Sequence, residues 1–190
     1  MPATLVIIDM QEIFRSPQSQ WGVPTYDSAA QNVTRLTDRF RGSVVWTRFV
    51  RDPEESGSWR QYYDRWSGCR ATPESAEWDV TMPIESSDRT LTLPTFSKWG
   101  SELAQLSAGS ERLVVCGVAT ECCVLSTVLG AVDAGKHVVV VTDACAGATD
   151  EAHDQAMAVM SLLSPMVTLA TTDEAIGETA VSGSPSTEPR

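Results

Sequence analysis

Six short apolar runs alternate along the chain with stretches that are apolar only every third or fourth residue. The first, TLVIID at 4–9, is continuous and ends in a charge, the pattern of a central strand buried on both faces of a parallel sheet. SVVWTRF (43–49), RTLTL (89–93), LVVCGV (113–118), HVVVVTD (137–143) and MVTLA (166–170) predict the remaining strands. Between them, DSAAQNVTRLTDRFRG sets Ala29, Val33, Leu36 and Phe40 at helical spacing, and Gly42 fits a helix stop. Further helices are predicted around 99–108, from Thr120 to about 134 with Gly135 closing it, and over 150–163. Strands alternating with helices predict a three-layer, doubly wound, Rossmann-like α/β fold: a six-stranded parallel sheet with helices on both faces. Residues 50–87 interrupt the alternation with prolines, charges and aromatics around one short helix near 58–65, and a loop that long is commonly a lid or a packed arm. The domain is expected over 1–177, and 178–190, rich in Ser, Gly, Thr, Pro and Glu, as a flexible tail.

Right-handed crossovers bring every strand's carboxyl end to one edge of such a sheet, where sites form. The residues expected to meet there are Asp9, Arg48, the segment after Leu93, Gly117 to Cys123, and Asp143. A thiol in the first turn of the helix that opens at Thr120 faces unpaired backbone N–H groups and the helix dipole, which favour a thiolate and suit an oxyanion. Cys122 and Cys123 point about 100° apart, so one of them at most faces a given site, and periodicity does not decide which. Cys123 is also readable as a small buried hydrophobe. Asp9 ends an apolar run, where a partly desolvated carboxylate serves as a base or merely caps a turn. Lys98, one of two lysines, follows the third strand and reads as a partner to both anions or as a surface residue.

Composition narrows the partners. The net charge of −11 disfavours nucleic acid, although 35–70 carries eight of the fourteen basic residues against five acidic ones. No apolar run approaches the ~20 residues of a membrane span, and the N-terminal residues lack a signal-peptide pattern, so a cytoplasmic protein is expected. Five cysteines in neither a zinc nor a C-x-x-C spacing suit a reducing compartment. Histidine is scarce: His137 begins a strand at the far edge and His153 sits in a helix's first turn, so neither joins a ligand cluster and a general base falls to a carboxylate. Trp59, Tyr62, Tyr63 and Trp66 recur at helical spacing in the arm, either as a pocket wall or as glue to the domain or a second subunit. Arg48 and Arg51 suit a substrate carboxylate or plain surface.

GVATECCV resembles the nucleophile turn G-[VL]-x-T-[DE]-x-C-V of the isochorismatase-like cysteine hydrolases, and IIDMQEIF resembles that family's D-x-Q-x-x-F segment. AGATDEAHDQAM is similar to its later helix, and the likeness runs from about residue 3 to 176. The resemblance implies Cys123 as nucleophile, Asp9 as base, an oxyanion held by the backbone N–H groups of Ala119 and Cys123, and a cis peptide between Val118 and Ala119. It brings Gln11 and Phe14, with Arg48, Trp59 and Tyr63, into the expected substrate-binding set. Two departures stand out. Aligning PTFSKW with the family's lysine segment puts Leu93 at the lysine, so Lys98 substitutes only if the turn delivers it. The Asp-x-His metal segment of nicotinamidases reads RFVRDPEESG here, so no metal and no other cofactor are expected.

The expected activity is metal-independent cleavage of a C–N bond in a small amide, lactam or carbamoyl compound through a thioester. The alternatives are an isochorismatase-type vinyl ether hydrolase, a catalytically dead relative, or a ligand-binding or redox-sensing domain that uses the neighbouring thiols. The partners expected are a small-molecule substrate and, through the broadly apolar helix 124–132, a second copy in a homodimer or larger homo-oligomer.

Overall fold

The computed structural model describes residues 2–181 and forms one six-stranded sheet. Its strands are β1 (Ala3–Ile8), β2 (Val44–Phe49), β3 (Arg89–Leu93), β4 (Arg112–Val118), β5 (His137–Ala146) and β6 (Val167–Ala170). Every pairing is parallel, in the order β3-β2-β1-β4-β5-β6. The continuous apolar runs occupy the centre, where Leu5 to Ile8 and Leu113 to Val118 are buried on both faces. The alternating RTLTL lies at an edge, with its middle leucine alone buried.

The helices are α1 (Glu12–Arg15), α2 (Tyr26–Arg39), α3 (Trp59–Arg65), α4 (Ser101–Leu106), α5 (Leu125–Asp133), α6 (Asp150–Ser161) and α7 (Thr172–Val181). α2 and α7 pack together against β5, and α5 and α6 pack together on the opposite face, as right-handed crossovers on either side of the switch point require. α1 and α7 are absent from the pattern reading. α7 continues past 178 to Val181, and the rest of the expected tail, 182–190, lies outside the described residues. The apolar side chains of α5 serve its own core: Val124, Val128, Ala131 and Val132 are buried, Leu125 is half-buried and Leu129 is exposed.

Asp143 does not end its strand. β5 runs on through Ala144, Cys145 and Ala146, which are buried, with Cys145 and Ala146 alongside Gly117 and Val118. The exposed Asp143 accepts hydrogen bonds from the Thr172 backbone and hydroxyl at the start of α7. Asp143 is thereby removed from the expected site.

The sheet order reverses between β1 and β4, and the connections leaving them diverge there, which opens the crevice where doubly wound sheets bind ligands. Gly117 sets how closely the two strands approach. Its φ is +116°, and a Cβ there would lie 2.1 Å from the Ile8 carbonyl oxygen, so only glycine fits.

The 50–87 arm is packed down. Trp78, Cys69 and Tyr63 are buried, and Val80 bridges to Gln11 just beyond β1. Glu55 accepts from Arg51 and, with both oxygens, from Arg70, which also reaches Asp64. The Arg70 guanidinium, reinforced by Arg51 and opposed by desolvation, holds the Glu55 carboxyl down to about 2. Both arginines nearest the site edge are therefore committed elsewhere: Arg51 to Glu55, and Arg48 to the Trp78 carbonyl at 3.3 Å.

Candidate active site

Asp9 follows β1 in the left-handed region, with φ +50°, a conformation that aspartate tolerates better than most residues. Thr47, on the neighbouring strand, fixes it twice: its hydroxyl donates to Asp9 Oδ1 at 2.7 Å and accepts from the Asp9 N–H at 3.2 Å. The other oxygen, Oδ2, lies 2.9 Å from Lys98 Nζ, and both side chains are fully buried. The ammonium sits outside hydrogen-bond geometry for Oδ2, so that oxygen keeps lone pairs available. The turn after β3 thus does deliver Lys98. Its Nζ donates to the Thr95 carbonyl at 2.5 Å and lies 4.8 Å from the Phe49 ring centroid. Its backbone N–H donates to Thr127 Oγ1 at 2.9 Å, and that hydroxyl donates to the Cys123 carbonyl at 2.7 Å. One threonine thereby ties the lysine turn to the cysteine turn.

β4 ends in a cis peptide between Val118 and Ala119, and Thr120–Val124 forms a π-helical turn before α5. The Val124 N–H reaches back five residues to the Ala119 carbonyl at 3.3 Å. Cys123 is almost completely buried in this turn, where the Asp9 carboxylate and the Lys98 ammonium both act on its thiol electrostatically. The expected lowering of its pKa does not occur. Burial first and the Asp9 carboxylate second push the thiol well above its ordinary value, and Lys98 only partly opposes them. Cys122 is half-buried and pushed up to about 11 by burial and then Glu121, with no part played by Asp9. The carboxylate's charge thus acts on Cys123 and not on Cys122.

A cavity of about 110 Å³ opens over Cys123. Six aromatic rings wall it: Phe14, Trp21, Phe49, Tyr62, Trp66 and Phe96. Ala119, Cys122, Glu121, Gln20 and Ala148 complete the lining. Of the residues expected to bind substrate, Phe14 lies here and the others do not. Gln11 is fully buried, and its amide is committed to the backbone: Nε2 donates to Phe49 and Trp78 carbonyls at 2.9 and 2.6 Å, and Oε1 accepts from the Phe49 N–H at 2.8 Å. Arg48 is turned away, as described. Trp59 and Tyr63 line a separate depression with Asp52 and Glu55, while the pair one helical step away, Tyr62 and Trp66, faces the thiols. Trp59 instead packs behind the wall on Phe96, with ring centroids 4.9 Å apart. Trp21, Phe49, Phe96, Gln20, Thr47 and Thr127 went unanticipated. A threonine four residues after Cys123, on the same helical face, was the one local signal available.

Among the described residues no group of three or more His, Cys, Asp or Glu side chains is gathered as a metal site. Glu55 is taken by two arginines, His137 is exposed at the start of β5, and His153 is half-buried with Nδ1 2.9 Å from Thr120 Oγ1. No helix among the described residues is long and apolar enough to cross a membrane.

Known proteins share this fold. A cysteine hydrolase from Pseudomonas syringae pv. phaseolicola 1448A shares the fold at a TM-score of 0.83, with 18% identity, over 95% of this chain and 93% of that one. The pyrazinamidase of Pyrococcus horikoshii, solved in complex with zinc, is 25% identical at a TM-score of 0.72, over 89% of this chain and 98% of its own. An uncharacterized isochorismatase family protein, YecD, of Escherichia coli O157:H7 is 26% identical over 162 residues, which span 80% of this chain and 84% of that protein. The isochorismatase domain model matches residues 3–174, nearly the whole chain, and with a buried Asp9, Lys98 and Cys123 gathered at the switch point of its sheet the protein belongs to the isochorismatase family of hydrolases.

Proposed function

We propose that this chain is a cysteine hydrolase that cleaves the C–N bond of a small amide, lactam or carbamoyl compound through a thioester, using its own side chains and no metal. The observation that carries the reading is the Cys123 thiol coupled to Asp9 beneath an aromatic cavity, with Lys98 Nζ 2.9 Å from Asp9 Oδ2. Because burial and the neighbouring carboxylate favour the protonated thiol, the sulfur sheds its proton as it attacks rather than before. Asp9 Oδ2 accepts that proton while Sγ bonds to the carbonyl carbon, and the backbone N–H groups of Ala119 and Cys123 receive the oxyanion. Asp9 passes the proton to the nitrogen, the C–N bond breaks and the amine leaves. Water then gives Asp9 a proton as its oxygen bonds to the thioester carbon. The C–S bond breaks, and Cys123 regains its proton.

Lys98 is a positioning residue in this scheme. It balances the carboxylate's charge before transfer and fixes which oxygen faces the sulfur. A vinyl ether hydrolase needs an acid and no nucleophile, so the buried thiol has no task in it. A redox sensor needs a low-pKa thiolate, and both thiols are shifted the other way. The test is a panel of small amides on the wild type, Cys123→Ala and Cys122→Ala, with and without chelator, and an acid quench for mass spectrometry. Cys123→Ala is expected to lose at least ~10³-fold in kcat/KM, the scale seen when a nucleophile is removed, and Cys122→Ala less than about tenfold. An acyl adduct on Cys123 and indifference to chelator complete the expectation. Equal losses in the two folded variants overturn it.

A further inference from the structure

The cavity's charge and its unpartnered atoms restrict what it accepts, given the amide hydrolase reading above. Glu121 is the single lining side chain with a formal charge; no lysine, arginine or histidine is among the lining residues, and Lys98 is sealed beneath the floor. Glu121 Oε1 accepts from the Ala148 N–H at 3.0 Å, but Oε2 is buried without a partner. A Cβ on Gly147 would come within 2.8 Å of Oε2 and 3.1 Å of His153, so a glycine there is what lets the carboxylate take this position. Trp21, on the aromatic wall, likewise carries a buried indole N–H without a partner. A buried acceptor and a buried donor left unpaired are costly, and a ligand that satisfies both recovers that cost.

We infer that the site selects a flat, carboxylate-free amide, neutral or cationic, that presents an N–H donor to Glu121, with the amide carbonyl as a second partner for the Trp21 N–H. An anionic substrate would bring a second negative charge into an apolar cavity that has no cation to receive it. The arginine-rich 35–70 segment does not supply one, because Arg48 and Arg51 are engaged outside the cavity. Size narrows the class further. A cavity of about 150 Å³ holds benzene, so about 110 Å³ buries a ligand portion of about six heavy atoms or fewer.

The test is binding, not turnover, so it stays informative even if the chain proves not to hydrolyse amides. Acetamidinium, acetamide and acetate are nearly isosteric and differ in charge. Their affinities are measured by saturation-transfer NMR on the full-length Cys123→Ser variant, and again with Glu121→Gln added. Gln retains an acceptor for the Ala148 N–H. Acetamidinium and acetamide are expected to bind at least tenfold more tightly than acetate, and Glu121→Gln to reduce the acetamidinium-to-acetate ratio at least tenfold. If Glu121→Gln does not fold, the ranking in the parent decides: acetate equal to or tighter than acetamidinium overturns the proposal. So does a ratio unchanged by a folded Glu121→Gln. A ranking as expected without any amide turnover would sink the hydrolase reading and leave this one standing.

Discussion

The Asp9–Lys98 pair is completely buried, and this makes its contribution to stability strongly non-additive. Removing one partner strands the other's charge in a site with no solvent-accessible surface. For buried pairs that costs about 3–5 kcal/mol, whereas removing both charges together is often nearly neutral. Asn is the suitable replacement at residue 9, since it also tolerates φ +50° and still accepts from Thr47. Met is suitable at 98, where the aliphatic stem is buried. Lys98→Met additionally loses the contact with the Phe49 ring and the bond to the Thr95 carbonyl. Each single variant should therefore fall by about 3–5 kcal/mol, and the double variant by only about 1–3 kcal/mol, from lost hydrogen bonds and packing. The coupling energy is then at least about 3 kcal/mol, the upper end for neighbouring residues.

Urea unfolding followed by tryptophan fluorescence measures all four proteins. The midpoint should move at constant slope if stability alone has changed. Thermal midpoints should fall by roughly 6–20 °C in the singles, at about 2–4 °C per kcal/mol for a chain of this size. All three variants should be inactive, so activity is no guide and the cycle must be read from stability. Additive losses would show that the two charges do not compensate each other, and with that the picture of a dry, paired floor beneath the nucleophile fails.

The remaining predictions concern the thiol and the arm. Because the Cys123 thiol lies well above its ordinary pKa, iodoacetamide labelling in a Cys122→Ala background should rise about tenfold per pH unit from 7 to 9; a plateau near pH 7 would refute the shift. Glu55 is depressed to about 2, so its contribution to holding the arm is fully present above its unfolded value of about 4.3 and is lost as pH falls through that range toward 2. Glu55→Gln should expose the 51–70 segment to proteolysis at pH 7. A wild-type arm that is cut no faster at pH 3 than at pH 7 by an acid-tolerant protease would contradict this assignment.

The fold was legible where burial leaves a continuous mark. β1 and β4 are apolar throughout because both faces are covered, and that alone set Asp9 and the Cys123 turn at one edge. β5 was read too short because a charge was taken for a strand end, whereas Asp143 faces outward and caps α7. Local order placed Asp9 and the Cys122–Cys123 turn at one edge, the family resemblance and not the spacing singled out Cys123, and what rotation or long-range approach fixes was illegible. Periodicity groups Trp59 with Tyr63 and Tyr62 with Trp66, but it gives no absolute rotation of α3, so it does not say which pair meets the thiols. Trp21, Phe49 and Phe96 come from three separate segments, and no spacing links them. Lys98 was uncertain for the same reason: a residue's offset along a turn does not state its reach.

The high pKa of the thiol and the buried ion pair have a common origin in the dryness of the floor between β1 and β4. Gly117 brings these strands too close for a side chain, and the rings above exclude solvent. In such a site the ion pair survives because its charges compensate each other, while an unpaired thiolate beside Asp9 is disfavoured. In the proposed reaction, proton transfer from Cys123 to Asp9 becomes favourable only when the electron pair it frees moves at once into a carbonyl whose oxygen meets backbone N–H groups. A reagent that offers no oxyanion, such as an alkyl halide, gains nothing from that arrangement, whereas an amide gains from all of it. Under that proposal, selectivity for carbonyl substrates over adventitious electrophiles and oxidants needs no separate device; it follows from where the strand ends meet.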